Sequence, residues 1–266
     1  MSRYIGLEEK RILVVEDVEL NQCLARHIME SWGCVVEIAE NGRLAVDRIK
    51  EFDFDLILMD IQMPEMDGKE ATKLIREIKD DRKSSVPIVA LTANALKEEC
   101  ESYLEAGMND CLAKPFEEPA LYKTVSKNIK HNMAGNICTA PVKRVEGKDV
   151  PFVERIYDLA MVESISGGDK SFVERMLLLF LETVPGTLSD IKSTADKSDW
   201  VMLGKHAHKL KSTIDSMGIK FLKQDIRSIE SGVKTNGDPK LLLPLVEKVL
   251  TGMNSVMEQV KKDYGL

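Results

Sequence analysis

The first half of the chain alternates short, β-branched apolar runs with amphipathic segments of helical length, and this alternation restricts the folds that it can adopt. Parallel strands need a crossover connection, which is usually a helix, so the alternation implies a parallel sheet covered on both faces. We predict an α/β domain with a doubly wound, five-stranded parallel sheet. The predicted strands are residues 11–15, 35–38, 56–59, 87–91 and 110–113.

The second half shows no comparable series of strands and instead repeats apolar residues at helical spacing. Glycines at Gly167, Gly168 and Gly218 interrupt the repeats. We predict an all-α, antiparallel helical bundle with four long helices. The predicted helices are residues 158–166, 170–195, 200–217, 219–233 and 239–260.

The stretch between the two patterns has no clear periodicity and contains Gly135, Pro141, Gly147 and Pro151. We interpret it as a linker. The predicted organisation is an α/β domain over residues 1–133, a linker over 134–155 and a helical domain over 156–266.

The charge pattern argues against nucleic acid as a partner. The 266 residues carry a formal net charge of −7, and residues 156–266 hold 15 basic and 15 acidic side chains. Neither half has the basic surface that nucleic-acid binding needs. No apolar run approaches the roughly 20 residues of a membrane-spanning helix, and the start lacks the apolar core of a signal peptide. We expect a cytoplasmic protein that does not contact a membrane.

The five cysteines are odd in number and never form a Cys-x-x-Cys pair. We predict buried thiols and neither disulfides nor zinc ligands. They are Cys23, Cys34, Cys100, Cys111 and Cys138.

Three carboxylates follow two of the predicted strands. Glu16 and Asp17 come directly after the first strand, and Asp60 comes directly after the third. If both strands are central and parallel, these side chains converge on one edge of the sheet. Like charges packed together need a neutralising cation, and hard oxygen ligands suit Mg²⁺. The sequence therefore predicts a magnesium site.

Two further polar residues end strands at the same edge. Thr92 ends the fourth strand and Lys114 the fifth. Taken singly, Asp60 would be a strand end, Thr92 a helix cap and Lys114 a solvated charge. Together they suit a carboxylate nucleophile that attacks a phosphoryl group, because the hydroxyl and the ammonium can hold the phosphoryl oxygens.

Four stretches resemble the response regulator receiver family over residues 10 to about 133. They are Val14-Val-Glu-Asp17, Leu58-Met-Asp-Ile-Gln-Met-Pro-Glu-Met-Asp-Gly68, Ala90-Leu-Thr-Ala-Asn-Ala95 and Ala113-Lys-Pro-Phe116. The resemblance implies that Asp60 is the phosphoacceptor and that Thr92 and Lys114 hold the phosphoryl oxygens. It also implies that Glu16, Asp17 and Asp60 bind Mg²⁺, with Gln62 as a backbone carbonyl ligand.

Two positions depart from the receiver pattern. Cys111 stands where many receivers have a switching Tyr or Phe, which puts the usual account of activation by an aromatic rotamer in doubt. Glu16 stands where Asp is more common, a change that the family tolerates.

A histidine lies on one of the helices of the second half. His208 borders an apolar stripe that includes Leu203, Ala207 and Leu210, so it can face solvent. Lys205 and Lys211 lie three residues to either side. Nearby ammonium groups would favour a transiently phosphorylated imidazole, although a lone surface histidine usually has no special role. His206, on another side of the helix, is interpreted as such a surface residue.

The stretch Lys205-His-Ala-His-Lys-Leu-Lys-Ser212, with the later Ser216-Met-Gly218, resembles the histidine-phosphotransfer family from about residue 157 to the end. The resemblance makes His208 the phosphoacceptor and Lys211 its electrostatic support. Ser212 replaces the usual Gly, which could slow docking or narrow the choice of partner.

The resemblances together imply an intermediate of a two-component phosphorelay. The expected partners are a sensor histidine kinase, possibly a hybrid one, and a downstream response regulator. Nothing in the sequence resembles an ATP-binding kinase core, so a Mg²⁺-dependent phosphotransfer protein would take its phosphoryl group from a partner or a small phosphodonor.

Two other functions stay open at this point. One is a binding module that is switched by phosphorylation, in which the helical half only docks a partner. The other is a phosphatase with an aspartyl nucleophile, but such enzymes need a second Asp two positions later, where this chain has Gln62.

Overall fold

The computed structural model describes residue 4 and residues 6–93, 96–131, 155–235 and 238–266. Of the predicted linker, residues 134–155, only Arg155 lies within these ranges. The domain boundaries therefore stay predictions.

The first half contains one five-stranded parallel sheet with the order β2-β1-β3-β4-β5, so the predicted α/β class is confirmed. Every residue of β3 and β4 is buried, as expected for central strands that are covered on both faces. The register pairs Asp60 with Leu91 and Thr92 with Ala113, which brings three strand ends to one edge. The strands are β1 (Arg11–Val15), β2 (Val35–Ala39), β3 (Leu56–Asp60), β4 (Ile88–Thr92) and β5 (Asp110–Ala113).

Six helices flank this sheet in the described part of the first half, and separate apolar clusters fill the space on its two faces. Side chains fix several of the helix starts: Asn41 accepts a hydrogen bond from the amide of Leu44, and Asp67 accepts one from the amide of Glu70. The helices are α1 (Glu19–Ser31), α2 (Gly42–Glu51), α3 (Gly68–Arg76), α4 (Asp81–Ser84), α5 (Lys97–Glu105) and α6 (Glu118–His131).

The second half is helical, as predicted. Aspartates cap three of its long helices, at Asp169, Asp199 and Asp238. Short connections join α8 to α9 and α9 to α10, which makes neighbouring helices antiparallel. The helices are α7 (Ala160–Ser166), α8 (Lys170–Asp196), α9 (Trp200–Ser216), α10 (Lys223–Lys234) and α11 (Pro239–Tyr264), with one 3₁₀ turn at Lys220–Leu222.

Gly218 holds the connection after α9 in place. Its φ is +60°, and a Cβ atom there would collide with the backbone of Asp158, just before α7. The amide of Asp158 also donates a hydrogen bond to the carbonyl oxygen of Met217. This close approach explains why a glycine is needed at the end of the helix that carries His208.

The two halves pack against each other through α1, which contacts α7, α8 and α9. The ring of His27 stacks on that of Phe172 with centroids 3.7 Å apart. The hydroxyl of Ser216 donates a hydrogen bond to the side-chain oxygen of Asn21 over 3.2 Å. The buried residues of α1 and those of the bundle belong to one continuous apolar cluster.

The prediction that the cysteines are all free thiols was wrong for two of them. Cys100 on α5 and Cys111 on β5 form a disulfide across 11 residues of chain. Cys23 and Cys34 are free, and Cys138 lies outside the described residues. The sequence gives no sign of the pair, because only the packing of a helix on a strand brings the two positions together. Among the residues that the structure describes, no helix is long and apolar enough to span a membrane.

Candidate phosphotransfer sites

The predicted carboxylates converge at the carboxyl edge of the sheet. One carboxylate oxygen from each of Glu16, Asp17 and Asp60 lies within 4.8 Å of the others. Asp60 is only 3% exposed, and Glu16 is equally buried. Gly68 makes room behind Asp60, because a Cβ atom there would collide with the carbonyl oxygen of Asp60. The edge is therefore an enclosed acidic site.

Lys114 neutralises part of this charge. Its Nζ lies 2.6 Å from Oε2 of Glu16 and 2.6 Å from Oδ2 of Asp60. The interpretation of Lys114 as a solvated surface charge is wrong, since its side chain is only 11% exposed. Burial alone would lower the pKa of Lys114, but the charges of Asp60 and Glu16 raise it above its usual value. Lys114 therefore stays an ammonium at this edge.

The carboxylates nevertheless carry an excess of negative charge. Burial raises the pKa of Glu16 to about 7, helped by the charge of Asp60 and opposed by Lys114. Burial and the charge of Asp60 also raise the pKa of Asp17. One oxygen of Asp17 is buried without a hydrogen-bond partner. Three hard oxygen donors and an unsatisfied carboxylate oxygen suit a divalent cation.

The other predicted residues lie at the same edge. Thr92 ends β4 and is buried. The backbone amide of Gln62 donates a hydrogen bond to Oδ1 of Asp60 over 3.3 Å, which places Gln62 beside the site. Its predicted role as a carbonyl ligand for Mg²⁺ stays a prediction.

Tyr103 is a neighbour of the site that the sequence did not reveal. It is the buried residue of α5, and its hydroxyl lies 3.2 Å from Oγ1 of Thr92. Many receivers have an aromatic residue on the strand at the position of Cys111. In this chain, the aromatic residue near Thr92 comes from the helix α5 instead. The only sequence signal for it is an aromatic residue in a mostly polar helix.

His208 makes contacts that the sequence did not predict. Its Nδ1 lies 2.9 Å from Oε1 of Glu230 on α10, and Nζ of Lys211 lies 2.6 Å from Oε2 of the same carboxylate. The side chain of His208 is 12% exposed, so a small part of it reaches solvent. Glu230 follows the buried Ile229 and is itself buried on α10. A carboxylate among apolar positions was the sequence feature that could have identified it as a partner of His208.

These contacts determine the tautomer of His208. A carboxylate can only accept hydrogen bonds, so Nδ1 must carry the proton that it donates to Glu230. Lys211 lies 3.3 Å from Nδ1 but makes its shorter contact with Glu230. The lone pair of the neutral imidazole is then on Nε2.

Glu230 is held as an anion. Burial by itself would raise the pKa of Glu230, but hydrogen bonds from His208 and Lys211 hold that pKa well below its usual range. Lys211 is buried as well, and its ammonium lies within 3.3 Å of Nδ1 of His208 and 2.6 Å of the Glu230 carboxylate. His206, by contrast, lies 3.9 Å from the exposed Asp190, as expected for a surface residue.

Residues beside the two sites line one small cavity between the halves. Its lining includes Lys114 of the acidic edge and residues of α9. The charges of Lys209 and Lys114 partly offset the rise in the pKa of Asp17. Ser212, which replaces a glycine of the family pattern, lies in this lining. The lining residues are Asn21, Leu24, Ala93, Lys114, Pro115, Phe116, Met161, Lys211, Ser212, Asp215 and Ser216.

Comparison with known proteins finds two family matches in this chain. Residues 12–126 match the response regulator receiver domain, and residues 175–262 match the Hpt domain. The aerobic respiration control sensor protein ArcB of Escherichia coli is 33% identical over 223 residues, which cover 83% of this chain and 27% of ArcB. The sensor protein GacS of Pseudomonas syringae is 30% identical over 254 residues, or 95% of this chain and 27% of GacS.

A solved structure resembles the first half. The receiver domain of the sensor histidine kinase PA1611 from Pseudomonas aeruginosa is 40% identical, covers 46% of this chain and 98% of its own, and has a TM-score of 0.42. This chain spans about a quarter of the length of the curated relatives named above. It consists of a response regulator receiver domain followed by an Hpt domain, the modules of a two-component phosphorelay.

Proposed function

We propose that this chain exchanges a phosphoryl group between Asp60 and His208 of the same molecule. The observation that carries the proposal is the shared cavity: Lys114 of the acidic edge and Lys211 beside His208 line it together. Asp60 ends β3 and His208 lies on α9. Neither side chain lines the cavity itself, but each contacts a lysine that does.

The chemistry at Asp60 follows from its surroundings. A carboxylate oxygen of Asp60 attacks the phosphorus of a donor phosphohistidine, the P–N bond breaks, and the leaving imidazole takes up a proton. Thr92 and Lys114 would hold the phosphoryl oxygens as negative charge develops on them. The product is an aspartyl phosphate.

Glu16, Asp17 and Asp60 would hold Mg²⁺, which supplies neutralising charge for the phosphoryl oxygens when it is bound. The unsatisfied oxygen of Asp17 supports this assignment. Lys114 already spans Glu16 and Asp60, so Asp17 is the carboxylate with the most to gain from a cation.

His208 receives the group through Nε2. Its lone pair attacks the phosphorus, the P–O bond to Asp60 breaks, and the carboxylate of Asp60 is restored. The proton on Nδ1 remains hydrogen-bonded to Glu230, which stabilises the cationic ring that forms. The ammonium of Lys211 lies beside this pair.

The place of the chain in a relay is proposed from its relatives, which are sensor proteins by name. A sensor histidine kinase, free or part of the same longer protein, would load Asp60, and a downstream response regulator would take the group from His208. We place this exchange in the cytoplasm.

A timed phosphotransfer assay tests the proposal. The full chain is incubated with Mg²⁺ and acetyl phosphate, and aspartyl and histidyl phosphate are distinguished by their opposite acid and base stability. We expect histidyl phosphate to appear after aspartyl phosphate, and to be missing in His208→Gln. If His208 never acquires phosphate although Asp60 does, the helical half only binds a partner and the proposal fails.

A further inference from the structure

We propose that Cys100 and Cys111 form a redox-modification site, which exchanges with small thiol–disulfide couples and sets how firmly α5 and β5 are held at the phosphorylation edge. The two residues lie on different elements, with Cα atoms 6.0 Å apart. Both are half-buried, so a small thiolate can reach the bond. In a reducing compartment, a disulfide in such a position is more often transient than structural.

The bridge restrains a weakly anchored helix. Tyr103 is the buried residue of the nine in α5. Besides the bridge and Tyr103, polar contacts of Lys69 hold the helix: its Nζ lies 2.6 Å from Oγ of Ser102 and 5.0 Å from the centre of the Tyr103 ring. With so little apolar burial, a covalent tie contributes a large share of the restraint.

Both ends of the bridge lead to residues of the phosphorylation edge. One turn after Cys100, the hydroxyl of Tyr103 contacts Thr92. Three residues after Cys111, Lys114 contacts Asp60. The disulfide therefore joins the helix that touches the Thr92 hydroxyl to the strand that leads to the Lys114 ammonium, the two groups placed to hold the phosphoryl oxygens.

The free thiols in the described part of the chain differ from this pair. Cys34 is buried, donates a hydrogen bond to the carbonyl oxygen of Leu7, and has a pKa raised to about 12 by burial. Burial also raises the pKa of Cys23. A thiol with a raised pKa forms little thiolate and reacts slowly, so we expect neither of these two to take part in the exchange.

The exchange balances without a further reactant. Reduction by a dithiol adds two electrons and two protons, breaks the S–S bond into two thiols and leaves the dithiol as a cyclic disulfide. Oxidation by glutathione disulfide reverses the change and releases two molecules of glutathione. The tethered state fixes Thr92 and Lys114 more closely in their places than the reduced state does.

The first arm of the test measures the bond itself. A chain with Cys23→Ser, Cys34→Ala and Cys138→Ser is equilibrated in glutathione buffers from reducing to oxidising, and free thiols are trapped with a maleimide polymer. As the buffer becomes more oxidising, we expect the thiols of Cys100 and Cys111 to be lost together in a single transition. Cys100→Ser and Cys111→Ser should each leave one thiol that can form only a mixed disulfide with glutathione. If no buffer pairs the two thiols, the proposal is overturned, whatever the chemistry of Asp60.

The second arm rests on the proposed role of Asp60 but does not involve His208. Oxidised and reduced chains are phosphorylated with acetyl phosphate and Mg²⁺. Because small displacements of catalytic groups slow a reaction, we expect phosphorylation to be about threefold slower after reduction. The two serine variants should show no redox effect. If the oxidised and reduced proteins are phosphorylated at equal rates, the disulfide does not influence the phosphorylation edge and the proposal is overturned. If no form of the protein is phosphorylated, the result contradicts the proposed function instead.

Discussion

The Nδ1 atom of His208 lies 2.9 Å from Oε1 of Glu230, so a buried carboxylate on α10 sets the protonation of the histidine on α9. The same carboxylate binds Lys211 over 2.6 Å. In the proposed exchange, this arrangement leaves Nε2 as the nucleophile and gives Glu230 a positioning role.

Glu230→Gln should slow phosphorylation of His208. An amide can donate to Nδ1 as well as accept from it, so the variant no longer selects one tautomer. A hydrogen bond to a charged group contributes about 1.5–3 kcal/mol, which corresponds to about tenfold or more in rate. Transfer kinetics and ¹⁵N NMR of the imidazole should change together. A full rate with the tautomer unchanged would contradict the positioning role, and Glu247→Gln, an exposed change of the same kind, is the control.

The stability contributed by Glu230 should depend on pH. Its pKa is depressed in the folded state, so its contribution is present above the ordinary carboxyl value of 4.5 and is lost as the pH falls through the folded value. Glu230→Gln should lower the free energy of unfolding by about 2 kcal/mol near pH 7. The difference from the wild type should shrink below about pH 4. Urea unfolding of both proteins across this pH range measures this difference in the free energy of unfolding. A difference that grows in acid would contradict the prediction.

Asp17→Asn should weaken Mg²⁺ binding by about tenfold or more, because it removes a charged oxygen ligand from a site of three carboxylates. Isothermal titration calorimetry measures the affinity without any phosphotransfer. Asp47→Asn, an exposed change on α2, should leave the affinity as it is. Equal affinities in the wild type and Asp17→Asn would remove Asp17 from the metal site.

The contact between the halves should weaken in mild acid. Burial lowers the pKa of His27 below its usual 6.5, with a further contribution from Arg175 and opposition from Asp169, Glu30 and Glu118. When the pH falls below about 6.5, His27 takes up a proton more readily when the two halves are apart than when they are in contact. The contact between the halves therefore becomes less favourable as the pH falls. His27→Phe keeps a ring on Phe172 and removes this titration.

Small-angle X-ray scattering at pH 7.5 and 5.5 tests this dependence. The wild-type radius of gyration should increase more than that of His27→Phe. His206→Phe, the same substitution at a histidine that lies near Asp190 and not at Phe172, should behave like the wild type. An equal response of the wild type and His27→Phe would exclude His27 as its cause.

The sequence predicted the elements that depend on local pattern. The five strands and the acidic edge follow from alternation and from the position of Asp17 and Asp60 at strand ends, because parallel strands bring their carboxyl ends together. The contacts of His208 could not be predicted in this way. Glu230 lies 22 residues from it, on another helix, and only the packing of α9 on α10 brings them together.

Other contacts could not be predicted from the sequence for the same reason. Tyr103 meets Thr92, and Cys100 meets Cys111, across the packing of α5 on the sheet. Their spacing in the chain matches no local motif. His208 was expected at a solvent-facing margin because a helical stripe shows which positions face the bundle, but it cannot show what a neighbouring helix or domain places over that margin.

The central claim is that Asp60 and His208 of one molecule exchange the phosphoryl group. Mixing Asp60→Asn with His208→Gln tests it most directly, since each variant retains one acceptor and only transfer between molecules can join them. We predict that the wild type forms histidyl phosphate from acetyl phosphate at a rate that is independent of dilution, whereas the mixture forms it far more slowly and in proportion to concentration. A mixture as fast as the wild type, or a wild-type rate that falls on dilution, would contradict transfer within one chain.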